Sequence, residues 1–93
     1  MALKHVAGKN VGDIKIYALS TCIWCKKTKA LLDSLGVAYD FVDVDLTAGT
    51  EREQTVADIK KWNPSVSFPT IVINGSKSIV GFQENELKKA LNL

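Results

Sequence analysis

The sequence predicts an α/β domain in which a four-stranded mixed sheet carries helices on both faces. Three observations support this prediction. Strand-like runs are twice followed by segments with helical periodicity, an Asn-Gly pair joins two further strand-like runs, and a last helical segment closes the chain. The 93 residues suffice for one domain and not for two. We therefore predict a single domain over 1–93, with a core at 14–93 and a lead-in at 1–13 that either is irregular or adds a strand.

The first strand is predicted at Ile14–Leu19, where β-branched and apolar residues alternate and then become continuous. Ser20 and Thr21 follow as residue types that cap helices. The apolar face of the helix after them is predicted from helical spacing to comprise Trp24, Thr28, Leu31 and Leu35. Gly36 is predicted to end this helix in the left-handed conformation.

The second strand is predicted at Val37–Val44, which is rich in β-branched and aromatic residues. Thr50 and Glu53 match the Ser/Thr-x-x-Glu capping box and predict the start of a second helix. This helix is predicted to end near Asn63-Pro64, because the residue before a proline disfavours the helical conformation. Its inward residues are predicted to be Val56, Ile59 and Trp62.

Thr70–Ile73 and Ser78–Gly81 are predicted to form a hairpin, since Asn74 and Gly75 between them are the strongest short-range hairpin signal. A last helix is predicted at Glu84–Leu91, with acidic residues at its start and lysines towards its end. The strands that flank the first helix must be parallel, whereas the hairpin adds an antiparallel pair. The predicted order of elements is therefore β-α-β-α-β-β-α.

The composition excludes several classes of protein. Twelve basic and ten acidic residues give a net charge of +2, which is too balanced for a protein that binds nucleic acid. No run of about 18 apolar residues occurs, so no membrane span is predicted. The N-terminus lacks the apolar core of a secretion signal. The expected location is cytoplasmic, in a compartment that keeps thiols reduced.

Cys22 and Cys25 are the only cysteines, too few and too close together for a disulfide scaffold. They lie where the first predicted strand ends and a helix begins, an edge of the sheet where open α/β folds place their sites. Free N–H groups and the positive end of the helix dipole favour a thiolate there. We predict that Cys22 is the exposed attacking thiol and that Cys25, one turn further, resolves the mixed disulfide. No metal ligand is predicted within one chain.

Two other interpretations of the cysteine pair stay open. An iron–sulfur cluster or a zinc ion could bridge two chains through Cys22, because a structural zinc needs four ligands and one chain offers two cysteines and a remote histidine. The pair could also form an inert disulfide in an adaptor protein. Trp24, between the cysteines, either packs in the core or contacts a substrate from the solvent side.

These motifs resemble the glutaredoxin branch of the thioredoxin superfamily over roughly residues 14–93. The resemblance rests on Cys22-Ile23-Trp24-Cys25 at the strand–helix junction, Phe68-Pro69-Thr70 before the third strand and Val80-Gly81-Phe82 after the fourth. It implies a thioredoxin-like fold, a cis peptide bond before Pro69 and the activity of a protein-disulfide oxidoreductase. It also implies a set of substrate-binding residues beside the cysteines: Thr21, Trp24, Phe68, Pro69, Gly81, Phe82 and Gln83.

Three departures from the family pattern bear on the reductant. The residue two before the first cysteine is often Lys in that family and is Ser20 here, which removes one glutathione contact. Glutaredoxins typically carry Pro-Tyr between the cysteines, where this chain has Ile23-Trp24. The Gly-Gly pair that holds glutathione in that family is replaced by Gly81-Phe82, which is similar to the small redoxins that serve ribonucleotide reductase and take electrons from a thioredoxin reductase. We therefore expect no tightly bound cofactor, either a reductase or glutathione as electron donor, disulfide-containing proteins as substrates, and a monomer.

Overall fold

The computed structural model describes residues 3–93 and contains one mixed sheet and three α-helices. The strands are β1 (Lys4–Val6), β2 (Ile14–Ala18), β3 (Tyr39–Asp43), β4 (Thr70–Ile73) and β5 (Lys77–Val80). The helices are α1 (Ile23–Ser34), α2 (Gly49–Trp62) and α3 (Glu84–Ala90). A 3-10 turn at Val44–Leu46 follows β3. In this part of the chain no helix is both long enough and apolar enough to cross a bilayer.

The order of strands in the sheet is β1-β3-β2-β4-β5. As predicted, β2 and β3 on either side of α1 are parallel, and β4 and β5 form an antiparallel hairpin. Antiparallel pairing of β2 with β4 joins the two halves of the sheet. The central strand β2 therefore has a partner on each side, and its carboxyl end carries the loop that leads to the cysteines.

The prediction of four strands is wrong by one, because the lead-in contributes β1. Lys4 pairs with Phe41 and Val6 with Tyr39, so β1 covers the edge of β3 that four strands would leave open. Lys9 continues the contact: its N–H donates to the carbonyl of Gly36 (2.8 Å) and its own carbonyl accepts from the N–H of Ala38 (2.9 Å). The predicted second strand begins two residues later than predicted, because Val37 forms only an isolated bridge with Lys9 and the pairing of β3 with β2 begins at Asp40.

The two faces of the sheet bury two apolar clusters. On one face, alternate residues of β2 and β4 pack against α1 and α3, with Ile16, Leu32, Ile71 and Leu87 fully buried. On the other face, Tyr17, Val42, Val44 and Val72 pack against Ile59 of α2. The prediction of helices on both faces is therefore confirmed.

The buried face of α1 agrees with the prediction except at Trp24: Thr28 is fully buried, and Leu31 and Leu35 are partly buried against the core. Cys25, Thr28 and Leu32 are fully buried, whereas Trp24 is 53% exposed. Successive residues of a helix are rotated by about 100°, so turning Cys25 into the core turns Trp24 towards the solvent. The helix ends as predicted, since Leu35 is the C-cap and Gly36 has the left-handed φ of 68° that a side chain disfavours.

The start of α2 also differs from the prediction. The helix begins at Gly49 with Ala48 as N-cap, and no side chain caps it. Thr50 thus lies within the first turn, and the predicted capping box does not form. Of the predicted inward residues, Ile59 is fully buried, while Val56 and Trp62 are partly buried at the edge of the cluster.

The C-terminal elements follow the prediction closely. Asn74 and Gly75 have φ values of 55° and 62°, the positive pair of a type I′ turn, and the N–H of Ser76 closes this turn by donating to the Ile73 carbonyl at 3.2 Å. Three residues, 74–76, separate the paired Ile73 and Lys77. β5 lies one residue earlier than predicted because its pairing with β4 ends at Val80. α3 spans Glu84–Ala90, and its inward Leu87 and the following Leu91 are buried.

Candidate active site

Cys22 and Cys25 lie at the junction of β2 and α1, as predicted. Cys22 is the N-cap residue of α1, and its Sγ accepts a hydrogen bond from the backbone N–H of Cys25 at 3.2 Å. The sulfur thus takes the position that the sequence predicted for the hydroxyl of Ser20 or Thr21. Both cysteines are free thiols; Cys22 is partly exposed and Cys25 is fully buried. A reactant from solvent therefore reaches Cys22 and not Cys25.

The two thiols differ in electrostatic environment as well as in access. Burial raises the pKa of the Cys25 thiol from its ordinary 9.0 to about 12, and the hydrogen bond with Cys22 acts in the same direction. Cys25 is therefore a neutral thiol near pH 7. The Cys22 sulfur accepts an N–H at the N-terminus of α1. A hydrogen bond in this position stabilises negative charge on the sulfur.

The rate at which Cys25 attacks a mixed disulfide on Cys22 should rise by about tenfold per pH unit between about pH 6 and 9. Only the thiolate attacks, and the raised pKa keeps Cys25 protonated over this whole range, so each unit of pH increases the reactive fraction. The rate can be measured by stopped flow as the release of thionitrobenzoate linked to Cys22. Extended to about pH 11, the same slope should persist, and a plateau that begins near pH 9, the ordinary pKa of a thiol, would contradict the raised pKa of Cys25.

The loop between β2 and Cys22 is held by a carboxylate that sequence analysis missed. Asp45 accepts hydrogen bonds from the backbone N–H of Ser20 (2.8 Å) and from the Ser20 hydroxyl. These bonds keep the pKa of Asp45 below its usual value. Arg52 Nη2 donates to the carbonyl of Asp45 at 3.0 Å, which ties the 3-10 turn to α2. One signal in the sequence points to Asp45: it follows the strand parallel to β2, so both strand ends meet at one edge.

Four of the predicted substrate-binding residues line one surface groove of about 260 Å³. We call it the aromatic groove; it is lined by Trp24, Phe68, Gly81 and Phe82. The rings of Trp24 and Phe82 are stacked, with centroids 6.1 Å apart and an interplanar angle of 23°. The groove thus joins the first turn of α1 to the segment after β5.

Pro69 follows Phe68 directly, is fully buried and does not line the aromatic groove. The Phe68–Pro69 peptide bond is cis, as the resemblance implied. The Pro69 carbonyl accepts the N–H of Gly81 at 2.8 Å, which attaches this loop to the end of β5. Thr21 and Gln83 do not line the groove. Thr21 is exposed beside Cys22, and Gln83 is the N-cap residue of α3 with its side-chain amide donating to the Val80 carbonyl at 2.7 Å.

The loop that leads to Phe68 is organised by a buried asparagine. Asn63 is 6% exposed, and its Nδ2 lies 3.2 Å from the Ser67 carbonyl, 2.9 Å from Ser67 Oγ and 3.2 Å from Thr70 Oγ1. Thr70 Oγ1 in turn donates to the Ser67 carbonyl at 2.8 Å. The sequence marked Asn63 only as a helix end. Its second role depends on contacts across a turn that no periodicity reveals.

Two further features lie outside this site. A larger cavity of about 590 Å³ is lined by residues within 5–14 and 38–40, and it includes none of the predicted site residues. Among residues 3–93, no three histidine, cysteine, aspartate or glutamate side chains are grouped so as to hold a metal ion. A metal at Cys22 would therefore need ligands from a second molecule, and the bridged site remains a prediction.

Comparison with known proteins assigns the family. The glutaredoxin family model matches residues 14–77. Glutaredoxin from Methanosarcina mazei Go1 has a TM-score of 0.92 and 49% identity, over 100% of this chain and 90% of that one. Methanoredoxin from Methanosarcina acetivorans has a TM-score of 0.89 and 48% identity, over 92% of this chain and 90% of that one.

A relative known from its sequence agrees with this assignment. A glutaredoxin-like 8.6 kDa protein in the rubredoxin operon of Clostridium pasteurianum is 38% identical over 78 residues, which is 84% of this chain and 96% of the relative. The fold is thioredoxin-like, with five strands in place of the four predicted. The chain belongs to the glutaredoxin family of thiol–disulfide oxidoreductases, and Cys22 and Cys25 are its Cys-x-x-Cys pair.

Proposed function

We propose that this protein carries electrons from a reductase of the thioredoxin-reductase type to disulfides in other proteins, through Cys22 and Cys25. One observation carries the proposal: an accessible sulfur at the N-terminus of α1 accepts the N–H of a second cysteine that is fully buried. This arrangement gives the two thiols separate tasks, because only one of them meets the substrate.

The reaction proceeds in two exchanges. The Cys22 thiolate attacks one sulfur of the substrate disulfide, a Cys22–substrate disulfide forms, and the other substrate sulfur leaves as a thiolate that takes up a proton. Cys25 then loses its proton, attacks the Cys22 sulfur and displaces the second substrate sulfur. Two electrons have passed to the substrate, and the protein carries a Cys22–Cys25 disulfide that the reductase reduces again.

The choice of donor is supported by Phe82. The family pattern has a second glycine at this place, whereas here a ring lines the aromatic groove and stacks on Trp24. A bulky ring leaves less room for a tripeptide held by the backbone and offers more apolar surface to a protein. The reaction suits a reducing compartment such as the cytoplasm, where a dithiol stays reduced. The protein acts as a single chain in this scheme.

The test supplies the oxidised protein and insulin with either of two donors and follows NADPH consumption. One donor is a thioredoxin reductase, and the other is glutathione with glutathione reductase. We expect insulin reduction with the first and slow turnover with the second. Efficient turnover with glutathione would overturn the donor assignment. The function in protein-disulfide reduction would be overturned if the protein accelerated insulin reduction with neither donor and also failed to accelerate it with dithiothreitol as the reductant.

Phe82→Gly is the matched variant for the donor, since it recreates the Gly-Gly pair beside Gly81. It should raise turnover with glutathione relative to turnover with the reductase. An unchanged ratio would mean that Phe82 does not select the donor.

A further inference from the structure

We propose that the exposed side of the first two turns of α1 docks a substrate segment that carries an apolar side chain and a carboxylate near its reactive cysteine, and that Lys27 receives the carboxylate. This inference rests on the proposed function and specifies which protein disulfides are reduced. It is carried by three observations: exposed apolar side chains, a cation held over an aromatic ring, and the absence, among residues 3–93, of a carboxylate close to that cation.

The apolar part of the surface adjoins the reactive sulfur. Ile23 and Trp24 follow Cys22 directly and are 62% and 53% exposed. Large apolar side chains grouped at the surface mark sites of protein interaction. Trp24 also forms one wall of the aromatic groove and stacks on Phe82. An apolar side chain next to the substrate cysteine can pack on this exposed apolar surface and remove it from water.

The charged part of the surface is attached to the same ring. Lys27 Nζ lies 4.6 Å from the centroid of the Trp24 ring, within the range of a cation–π contact. Residues three apart share one face of a helix, so the ammonium and the ring form one composite surface. The first turn of α1 contains no acidic residue. The first turn of α1 therefore adds no negative charge to the apolar rim beside Cys22, and Lys27 adds a positive charge.

The charge of Lys27 is available to a partner. Within residues 3–93, no carboxylate lies within 4.0 Å of Lys27. Three other lysines do have a carboxylate that close: Lys29, Lys61 and Lys88. A carboxylate from a bound segment would form a charge-assisted hydrogen bond with an ammonium that the ring already orients. A lysine or arginine at the same place in the substrate would be repelled. Charge complementarity thus selects an acidic segment.

The separation of Cys22 and Lys27 along α1 predicts how far the carboxylate lies from the reactive cysteine of the substrate. Lys27 is five residues beyond Cys22, which is about 7.5 Å along the helix axis. An extended chain advances about 3.3 Å per residue, so the acidic residue is expected two or three positions from the reactive cysteine. The apolar residue is then expected between them, over Trp24.

The test compares two disulfide-linked peptides that each contain Cys-Leu followed by either aspartate or lysine. Initial rates are measured at low ionic strength with thioredoxin reductase and NADPH. The native protein should reduce the aspartate peptide about fivefold faster in kcat/KM than the lysine peptide. Lys27→Glu should reverse the preference. Lys26→Glu is the matched control, because it changes the net charge equally on an adjacent exposed residue that is not placed over Trp24; it should keep the native preference.

Each outcome has one meaning. Equal rates for the two peptides with the native protein would overturn the docking surface and leave the proposed function intact. If Lys27→Glu and Lys26→Glu lost the preference for the aspartate peptide equally, the docking surface would also be overturned, because the net positive charge of this region and not Lys27 would then be responsible. A native protein that reduces neither peptide would overturn the proposed function together with this inference.

Discussion

Replacing Cys22 by serine should lower the reduction of insulin disulfides by about a thousandfold or more, to the rate without enzyme. A serine hydroxyl does not ionise near neutral pH and does not exchange with disulfides. Cys25 cannot take over, because it is fully buried and its pKa is raised to about 12. The measurement is insulin reduction with thioredoxin reductase and NADPH, with circular dichroism to establish that the variant is folded.

Cys25→Ser is the matched variant, and it should fail in a different way. The first exchange still occurs at Cys22, but no second thiol displaces the substrate. The Cys22–substrate disulfide should therefore accumulate, be visible by mass spectrometry and disappear on addition of dithiothreitol. Full activity of the Cys22→Ser protein would contradict the assignment of Cys22 as the attacking thiol. An accumulated adduct on Cys25 in Cys22→Ser would do the same.

The parts of this protein that sequence predicts well are those fixed by local chemistry. The Asn74-Gly75 turn needs two positive φ values, and few residue pairs supply them, so the hairpin follows from the dipeptide. Gly36 ends α1 for the same kind of reason. The position of the cysteines follows from a strand-like run that changes to helical periodicity within three residues. Each of these features depends only on residues that are neighbours in the sequence and requires no tertiary contact.

The parts that sequence did not predict depend on contacts between distant segments. The residues of β1 have little strand propensity of their own, and they form a strand because they pair with the open edge of β3. The exposure of Trp24 depends on which side of α1 faces the sheet, and helical spacing allowed either choice. Asp45 and Asn63 act through hydrogen bonds to particular atoms of other loops. The spacing of the cysteines and their place at a strand–helix junction predicted a redox site, whereas the hydrogen bonds that hold its loops became visible only in the folded structure.

Asn63→Ala should lower the free energy of unfolding by about 1–3 kcal/mol. The substitution removes the side chain that links the end of α2 to both Ser67 and Thr70, and it does so in a site that is almost closed to water. In a domain of this size, about 2 kcal/mol corresponds to a fall in Tm of about 8–16 °C. Thermal unfolding of the reduced protein, followed by circular dichroism, measures the change.

The functional consequence of Asn63→Ala follows from its position in the chain. Phe68 and Pro69 lie between the two residues that Asn63 holds, so a looser loop displaces one wall of the aromatic groove. At a temperature where the variant is folded, kcat/KM for insulin should therefore fall, while the rate at which iodoacetamide alkylates Cys22 should stay the same. Ser67→Ala is the control: it removes one hydroxyl from an exposed residue, and Asn63 keeps the Ser67 carbonyl and Thr70 as partners. Its loss of stability should be smaller, about 0.5–1 kcal/mol, because one hydrogen bond is lost and the other two remain. If Asn63→Ala unfolds within about 2 °C of the native protein, or if both variants lose the same stability, the loop is held by its backbone and not by Asn63.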